Sequence, residues 1–144
     1  MITVDDCNRR RVGTLVEHLG ILFTALREGA IEAEMPIGPP VMAANGYLHA
    51  GSVVSLADSC AGFGCIAHLP PTAASFTTIE LKSNFVGTAR NGVVVCVATL
   101  IHAGRTTQLW DATVTHRETA RVMAHFRCTQ LLLSPPPAGA SVVP

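Results

Sequence analysis

The stretch from Asn45 to His68, NGYLHAGSVVSLADSCAGFGCIAH, limits what this chain can become. Between Gly51 and Ala67 it is apolar or small on every side, with Val53, Val54, Leu56, Ala57, Cys60, Ala61, Phe63 and Ile66. Pro39-Pro40 precede it and Pro70-Pro71 follow it. An amphipathic surface helix shows a polar stripe, whereas a helix that is apolar all round is a buried one. The pattern therefore predicts a single buried helix. Asp58 lies in its middle and is the only acid or base between His49 and His68. Stripping water from a carboxylate is costly unless a partner or a raised pKa compensates. In wholly apolar surroundings, with His49 just ahead, such a residue reads as a functional group. The plain alternative is a structural aspartate, hydrogen-bonded to a backbone amide or to a hydroxyl such as Ser55 or Ser59, or paired with a distant Arg.

The 144 residues suffice for one domain with a proper core. With 49% hydrophobic and only 14% charged residues, much of the surface is expected to be apolar and covered in an oligomer. The net charge is zero, Lys82 is the one lysine and there is no basic run, so nothing points to nucleic acid. Cys7, Cys60, Cys65, Cys96 and Cys128 are odd in number and lack CxxC spacing. The last four lie in apolar runs and read as buried free thiols in a reducing compartment. No transmembrane segment is expected, because Asp58, three serines and four glycines interrupt the central stretch. Arg9-Arg10-Arg11 before an apolar run faintly suggests a signal peptide, but Asp5, Asp6, Glu17 and His18 spoil the pattern. The expected location is the cytoplasm.

Val12, Leu15, Val16 and Leu19 recur at helical spacing, with Asp5 or Asp6 as N-cap and Gly20 as the stop. Residues 21–27 and 30–35 read as a hairpin turning at Glu28-Gly29, the second strand alternating strictly. A Pro- and Gly-rich loop, 37–48, leads to the buried helix. Four strands follow: 75–86, 93–101, 108–115 and 122–132. Short turns at Arg90-Asn91-Gly92, Ala103-Gly104-Arg105 and Arg117-Glu118-Thr119 make them an antiparallel meander. The fold class is α+β, an antiparallel sheet curled around a long central helix. The domain covers 1–133, and 134–144 is a disordered Pro-rich tail.

The helix begins beside His49-Ala50-Gly51, where the first amides lack helical partners and the dipole is positive. Such a place suits a carbonyl oxygen that turns negative during acyl transfer. Asp58 would supply the base or nucleophile. Asp58 lies seven positions past Gly51, roughly 10 Å along the axis at about 1.5 Å per residue. One helix cannot offer both to one carbonyl, whereas two antiparallel copies can. If both groups act together, a dimer with two shared sites follows.

N-G-Y-L-H-A-G followed by L-A-D-S, with nine positions from His49 to Asp58, resembles the hot-dog-fold acyl-CoA thioesterases, closest to the phenylacetate-pathway and hydroxybenzoyl-CoA thioesterases. The likeness extends over E-A-E-M-P-I, F-T-T-I-E-L-K-S-N-F and H-A-G-R, from about Leu19 to about Leu132. The resemblance implies hydrolysis of an acyl-CoA, of aryl or phenylacetyl type among the options, to free acid and CoA. CoA is then part of the substrate, and no metal or other cofactor is needed. It implies a homodimer or homotetramer with active sites shared between protomers. Asp58 matches the catalytic carboxylate and His49 the histidine that shapes the site. Ala50 stands where the family usually has the Gly whose amide holds the thioester oxygen. Thr78 falls near a Ser/Thr that assists water in some members. Arg90 and Gly104-Arg105 fall on turns that contact the CoA nucleotide in some. Six positions before the histidine, where the family often has Asn or Gln, stands Ala43, with Asn45 two residues out of register. That departure keeps a non-catalytic acyl-CoA-binding protein open as an alternative. A hot-dog hydratase or dehydratase stays open too, as does an acyl-carrier-protein substrate in place of CoA.

Overall fold

A computed structural model describes residues 2–135. Two short helices, α1 (Val4–Arg10) and α2 (Leu15–His18), precede a hairpin of β1 (Leu22–Arg27) and β2 (Ala30–Pro36). A 3-10 turn, Pro39–Val41, leads to the long helix α3 (Ala50–Ala67). Then come β3 (Ser75–Phe85), β4 (Val93–Ala103), β5 (Thr107–His116) and β6 (Val122–Leu133). The tail expected to be disordered lies, from residue 136 onward, outside the described residues.

Two expectations for the N-terminus need correcting. Residues 12–19 do not form one amphipathic helix, because the chain breaks at Gly13, whose φ of 75° favours glycine. Val12 and Leu15 are left exposed, while Val16 and Leu19 pack on the core. The cap of α1 is Thr3, not Asp5 or Asp6. Thr3 Oγ1 accepts the Asp6 N–H at 3.2 Å, and the Asp6 carboxylate accepts the Thr3 N–H at 2.7 Å, a reciprocal capping box.

The six strands form one antiparallel sheet in the order β1-β2-β4-β5-β6-β3. The expected meander holds for β4-β5-β6 and fails for β3, which pairs with β6 at the far edge. The connector 86–92 is no hairpin turn. Its seven residues reach roughly 23 Å when extended, against about 14 Å for three strand spacings. It is pinned on the way, since Leu48 N–H donates to Ala89 O at 2.8 Å and Ile37 N–H to Gly92 O at 2.9 Å. A strand pattern names the strands but not this crossing.

Alternation decides which side of each strand meets α3. Ile31, Ala33 and Met35 of β2, Val94, Cys96 and Ala98 of β4, and Trp110, Ala112 and Val114 of β5 are buried against it. The helix passes so close to Trp110 that a methyl on Gly64 would stand 2.7 Å from the indole. By length and apolarity alone α3 would pass for a membrane span, but here the sheet wraps it. Two histidines hold its ends. His49 caps the start, with Nδ1 accepting the Gly51 N–H at 2.8 Å. At the other end His68 Nε2 accepts the Gly29 N–H at 2.8 Å and its Nδ1 meets Gly64 O at 2.8 Å, tying the helix to the β1–β2 turn.

Burial of α3 is not complete all round, contrary to the expectation from its composition. Val53, Leu56, Ala57, Cys60, Ala61 and Cys65 are buried, while Val54, Ser55, Asp58, Ser59 and Ile66 are only partly covered. One sheet wraps one side of a helix, and the apolar residues on the other side are left for something else to cover. All five cysteines are free and buried.

Candidate active site

Asp58 lies on the partly covered stripe of α3. Neither Ser55 nor Ser59 serves it, since the Ser55 hydroxyl donates to Gly51 O at 2.8 Å. Its partner comes from the sheet: Thr78 on β3 places Oγ1 3.1 Å from Asp58 Oδ1. A β-bulge at Ile79 follows Thr78 directly. Up to the bulge, Phe76 and Thr78 face the helix; past it, Leu81, Ser83 and Phe85 do, because they stand opposite the inward Cys128, Phe126 and Ala124. Burial raises the Asp58 carboxyl above its usual range, and the Thr78 hydroxyl opposes that rise. Oδ2 takes no hydrogen bond among the described residues, so one carboxylate oxygen is held and the other is free.

The helix start offers less than the sequence suggests at one position and all of it at the next. The Gly51 amide is not open, because the His49 ring caps it; a methyl at Gly51 would sit 2.9 Å from His49 Nδ1. The Ser52 and Val53 amides both donate to His49 O. The Ala50 N–H, at an exposed position, is the one first-turn amide without a partner among the described residues. Asn45 sits at the tip of a tight turn, its Oδ1 accepting the Tyr47 N–H at 3.2 Å. The helix is continuous from Ala50 through Asp58, so the separation of roughly 10 Å stands within one chain.

The residues expected at the nucleotide separate into two groups. Arg90 lies over the Tyr47 ring at 4.3 Å, near the helix start, beside a cavity of about 190 Å³ lined by Thr88, Asn91, His116 and Arg121 among others. Gly104 and Arg105 close the β4–β5 turn, where the Gly104 N–H donates to Thr107 O at 2.8 Å. The eleven residues of β4 stand between the groups, roughly 30 Å of strand. They cannot grip the same nucleotide from one chain. No cluster of metal-ligating side chains occurs among the described residues.

One residue at the site escaped the sequence reading. Gln130 on β6 is completely buried and stands directly opposite Thr78, with Oε1 2.9 Å from Thr78 Oγ1. A period-two reading of 122–132 would have found it, because it puts Gln130 on the same face as Phe126, Cys128 and Leu132.

These features agree with what the chain is similar to. Residues 45–123 match the family model described as thioesterase superfamily. The 1,4-dihydroxy-2-naphthoyl-CoA hydrolase of Listeria monocytogenes is 30% identical over 115 residues, 80% of this chain and 92% of that protein. A proofreading thioesterase, EntH, of Cronobacter sakazakii is 29% identical over 133 residues, 91% of this chain and 95% of its own. Among solved structures, thioesterase HI1161 of Haemophilus influenzae superposes with a TM-score of 0.90 at 26% identity, covering 97% of this chain and 96% of that one. The chain belongs to the thioesterase superfamily and has its hot-dog fold. Its activity is that of a thioester hydrolase.

Proposed function

We propose that the protein hydrolyses an acyl-CoA thioester, with Asp58 as the reacting carboxylate and the Ala50 amide as oxyanion donor. The observation that carries this reading is the pair of groups left open. Among the described residues Asp58 has one oxygen held by Thr78 and one free, and the helix start has one unpartnered N–H at the positive end of its dipole. Asp58 either takes the proton from an attacking water or attacks the carbonyl carbon itself. In both routes the carbonyl oxygen becomes negative against the Ala50 N–H, the C–S bond breaks, and the CoA thiolate leaves and takes a proton; in the second route the acyl group stays on Asp58 as an anhydride, which water then cleaves to the free acid and the restored carboxylate.

The two groups are too far apart on one helix, so the complete site needs a second copy. Ile79, Leu81, Phe85 and Val86, at the free edge beside Asp58, are 55%, 41%, 47% and 59% exposed. Leu81 and Phe85 lie on the helix side of the sheet, where the described residues leave them about half uncovered. A homodimer joined there, with its two α3 helices antiparallel, sets Asp58 of one protomer toward the helix start of the other. The free, buried thiols suit a reducing compartment such as the cytoplasm.

An aryl-CoA is the first substrate class to try, on the strength of the naphthoyl-CoA hydrolase relative. A hydratase is disfavoured by the cap. With Nδ1 accepting from Gly51, the neutral His49 ring carries its proton on Nε2 and has no free base. The test is thiol release from aromatic and aliphatic acyl-CoAs by wild type and Asp58→Asn. Expected is turnover of at least one aryl-CoA, reduced at least ~100-fold in the variant with substrate binding kept. Turnover untouched by the substitution would overturn the assignment of Asp58. No thiol release from any acyl-CoA would overturn the substrate class.

A further inference from the structure

Gln130 is the most deeply buried polar group near Asp58, and its partners make a chain. Its amide heavy atoms lie 2.9 Å from Thr78 Oγ1 and 3.3 Å from Cys128 Sγ, and Thr78 Oγ1 lies 3.1 Å from Asp58 Oδ1. The Thr78 hydroxyl has one proton for two neighbours. An ionised Asp58 can only accept, so that proton must go to it. Gln130 must then turn Nε2 toward Thr78, donating to Oγ1, and Oε1 toward Cys128. The two ends of an amide have one shape and are told apart by their partners. Here the partner is suited, because burial, then the Asp58 charge, pushes the Cys128 thiol to about 12. Its S–H is therefore present as a donor at neutral pH. Turned the other way, Gln130 Oε1 takes the Thr78 proton and leaves Asp58 facing a lone pair, an arrangement that fits only the protonated acid. The orientation of one buried amide and the charge on Asp58 are thus one variable.

We propose that Gln130 is a positioning residue, whose Nε2 turned to Thr78 commits the Thr78 hydroxyl proton to Asp58 and holds that carboxylate ionised and aimed. The relay is a property of the fold, and only its consequence for turnover rests on the thioesterase reading. Other titratable groups leave the relay in charge. Burial and Thr78 are what act on the Asp58 carboxyl, with no charged side chain from β2, β4 or β5 contributing; Cys65 on α3 and Glu80 on β3 act on Cys128.

The test is an NMR titration of the Asp58 carboxyl carbon in wild type, Gln130→Met, Thr78→Val and the double variant. Expected is a midpoint moved to higher pH by Gln130→Met and by Thr78→Val, with no further movement when Gln130→Met is added to Thr78→Val. In kinetics, the acid limb of kcat/KM moves up with Gln130→Met. An unmoved or lowered midpoint, or an equal shift in both backgrounds, overturns the relay. Should Gln130→Met not fold, the Gln130 side-chain NH2 signals decide. They follow the Asp58 titration in wild type and cease to do so in Thr78→Val; signals indifferent to that titration in wild type overturn the proposal. Wild type that releases no thiol would count against the thioesterase reading and leave this titration as the judge of the relay.

Discussion

At the β1 edge of the sheet, α1 lies across the strand, and Asn8 does what a neighbouring strand would do. Its Nδ2 donates to Phe23 O at 2.9 Å and its Oδ1 accepts the Phe23 N–H at 3.0 Å. At the β3 edge, eleven residues of strand have no neighbour on their outer side among the described residues, and four large apolar residues there or just beyond stand exposed. A long apolar edge strand invites pairing, and natural sheets cover or charge such edges. This molecule covers one side only; the β3 edge has no cover among the described residues and carries just Glu80, Lys82 and the bulge at Ile79. The closed edge lies away from the chemistry, whereas the open one carries Thr78, which touches Asp58. The difference teaches that the uncovered edge and Asp58 are the same place. On the dimeric reading proposed above, a second copy that covers one completes the other.

The sharpest way to break that comparison is a charge on each side. Leu81→Glu puts a carboxylate on the inner face of β3, and Val12→Glu puts one on the exposed surface between α1 and α2. Leu81→Glu is expected to yield a folded monomer by light scattering and to lose roughly 100-fold or more in thiol release, the scale of a lost oxyanion donor. Val12→Glu is expected to change neither. A Leu81→Glu protein that stays assembled and active would sever the edge from the site.

Asn8→Ala probes the closed edge. It removes both hydrogen bonds to Phe23 and leaves a half-buried strand end unpaired, at a cost of about 1–3 kcal/mol. Chemical denaturation should show that loss, with the assembly and kcat of the wild type. A change in kcat would mean that the closed edge also shapes the site.

How far the sequence foretold this contrast depends on what kind of information each feature needs. Strict alternation in 31–35 was enough to orient β2, because burial on one face writes a period of two. The place of β3 was not legible, since a strand pattern carries no record of its neighbour and the connector 86–92 looks like any polar turn. The break at Gly13 was hidden by apolar residues that keep helical spacing across it. Asp58 stood out through its surroundings. Its contact with Thr78 did not, because the two stand twenty positions apart on different elements. The all-round apolarity of α3 predicted cover on every side, and this chain's sheet supplies it on one; composition cannot say which side the sheet takes.

The smallest effect sharpens the comparison most finely, through the stability of Asp58→Asn. Burial raises the Asp58 carboxyl in the folded protein above the ordinary 3.8, with Thr78 opposing part of the rise. Below both values the acid is neutral in folded and unfolded chains, and no penalty exists. As pH rises through the window above 3.8, the unfolded chain loses its proton first, so the folded state binds more protons and stability falls. Above the folded value the whole cost of the buried charge is present. Asparagine keeps the oxygen that Thr78 bonds and carries no charge. Asp58→Asn should therefore be more stable than wild type at neutral pH, with the gain vanishing as pH falls below 3.8. If the β3 edge is where a second copy sits, Asp58 is drier in the assembly than in one chain. The gain should then shrink when the same substitution is made in the Leu81→Glu monomer. Thermal midpoints of the four proteins at pH 7 and at acid pH would measure it. An equal gain in both backgrounds would mean that the open edge does not cover Asp58.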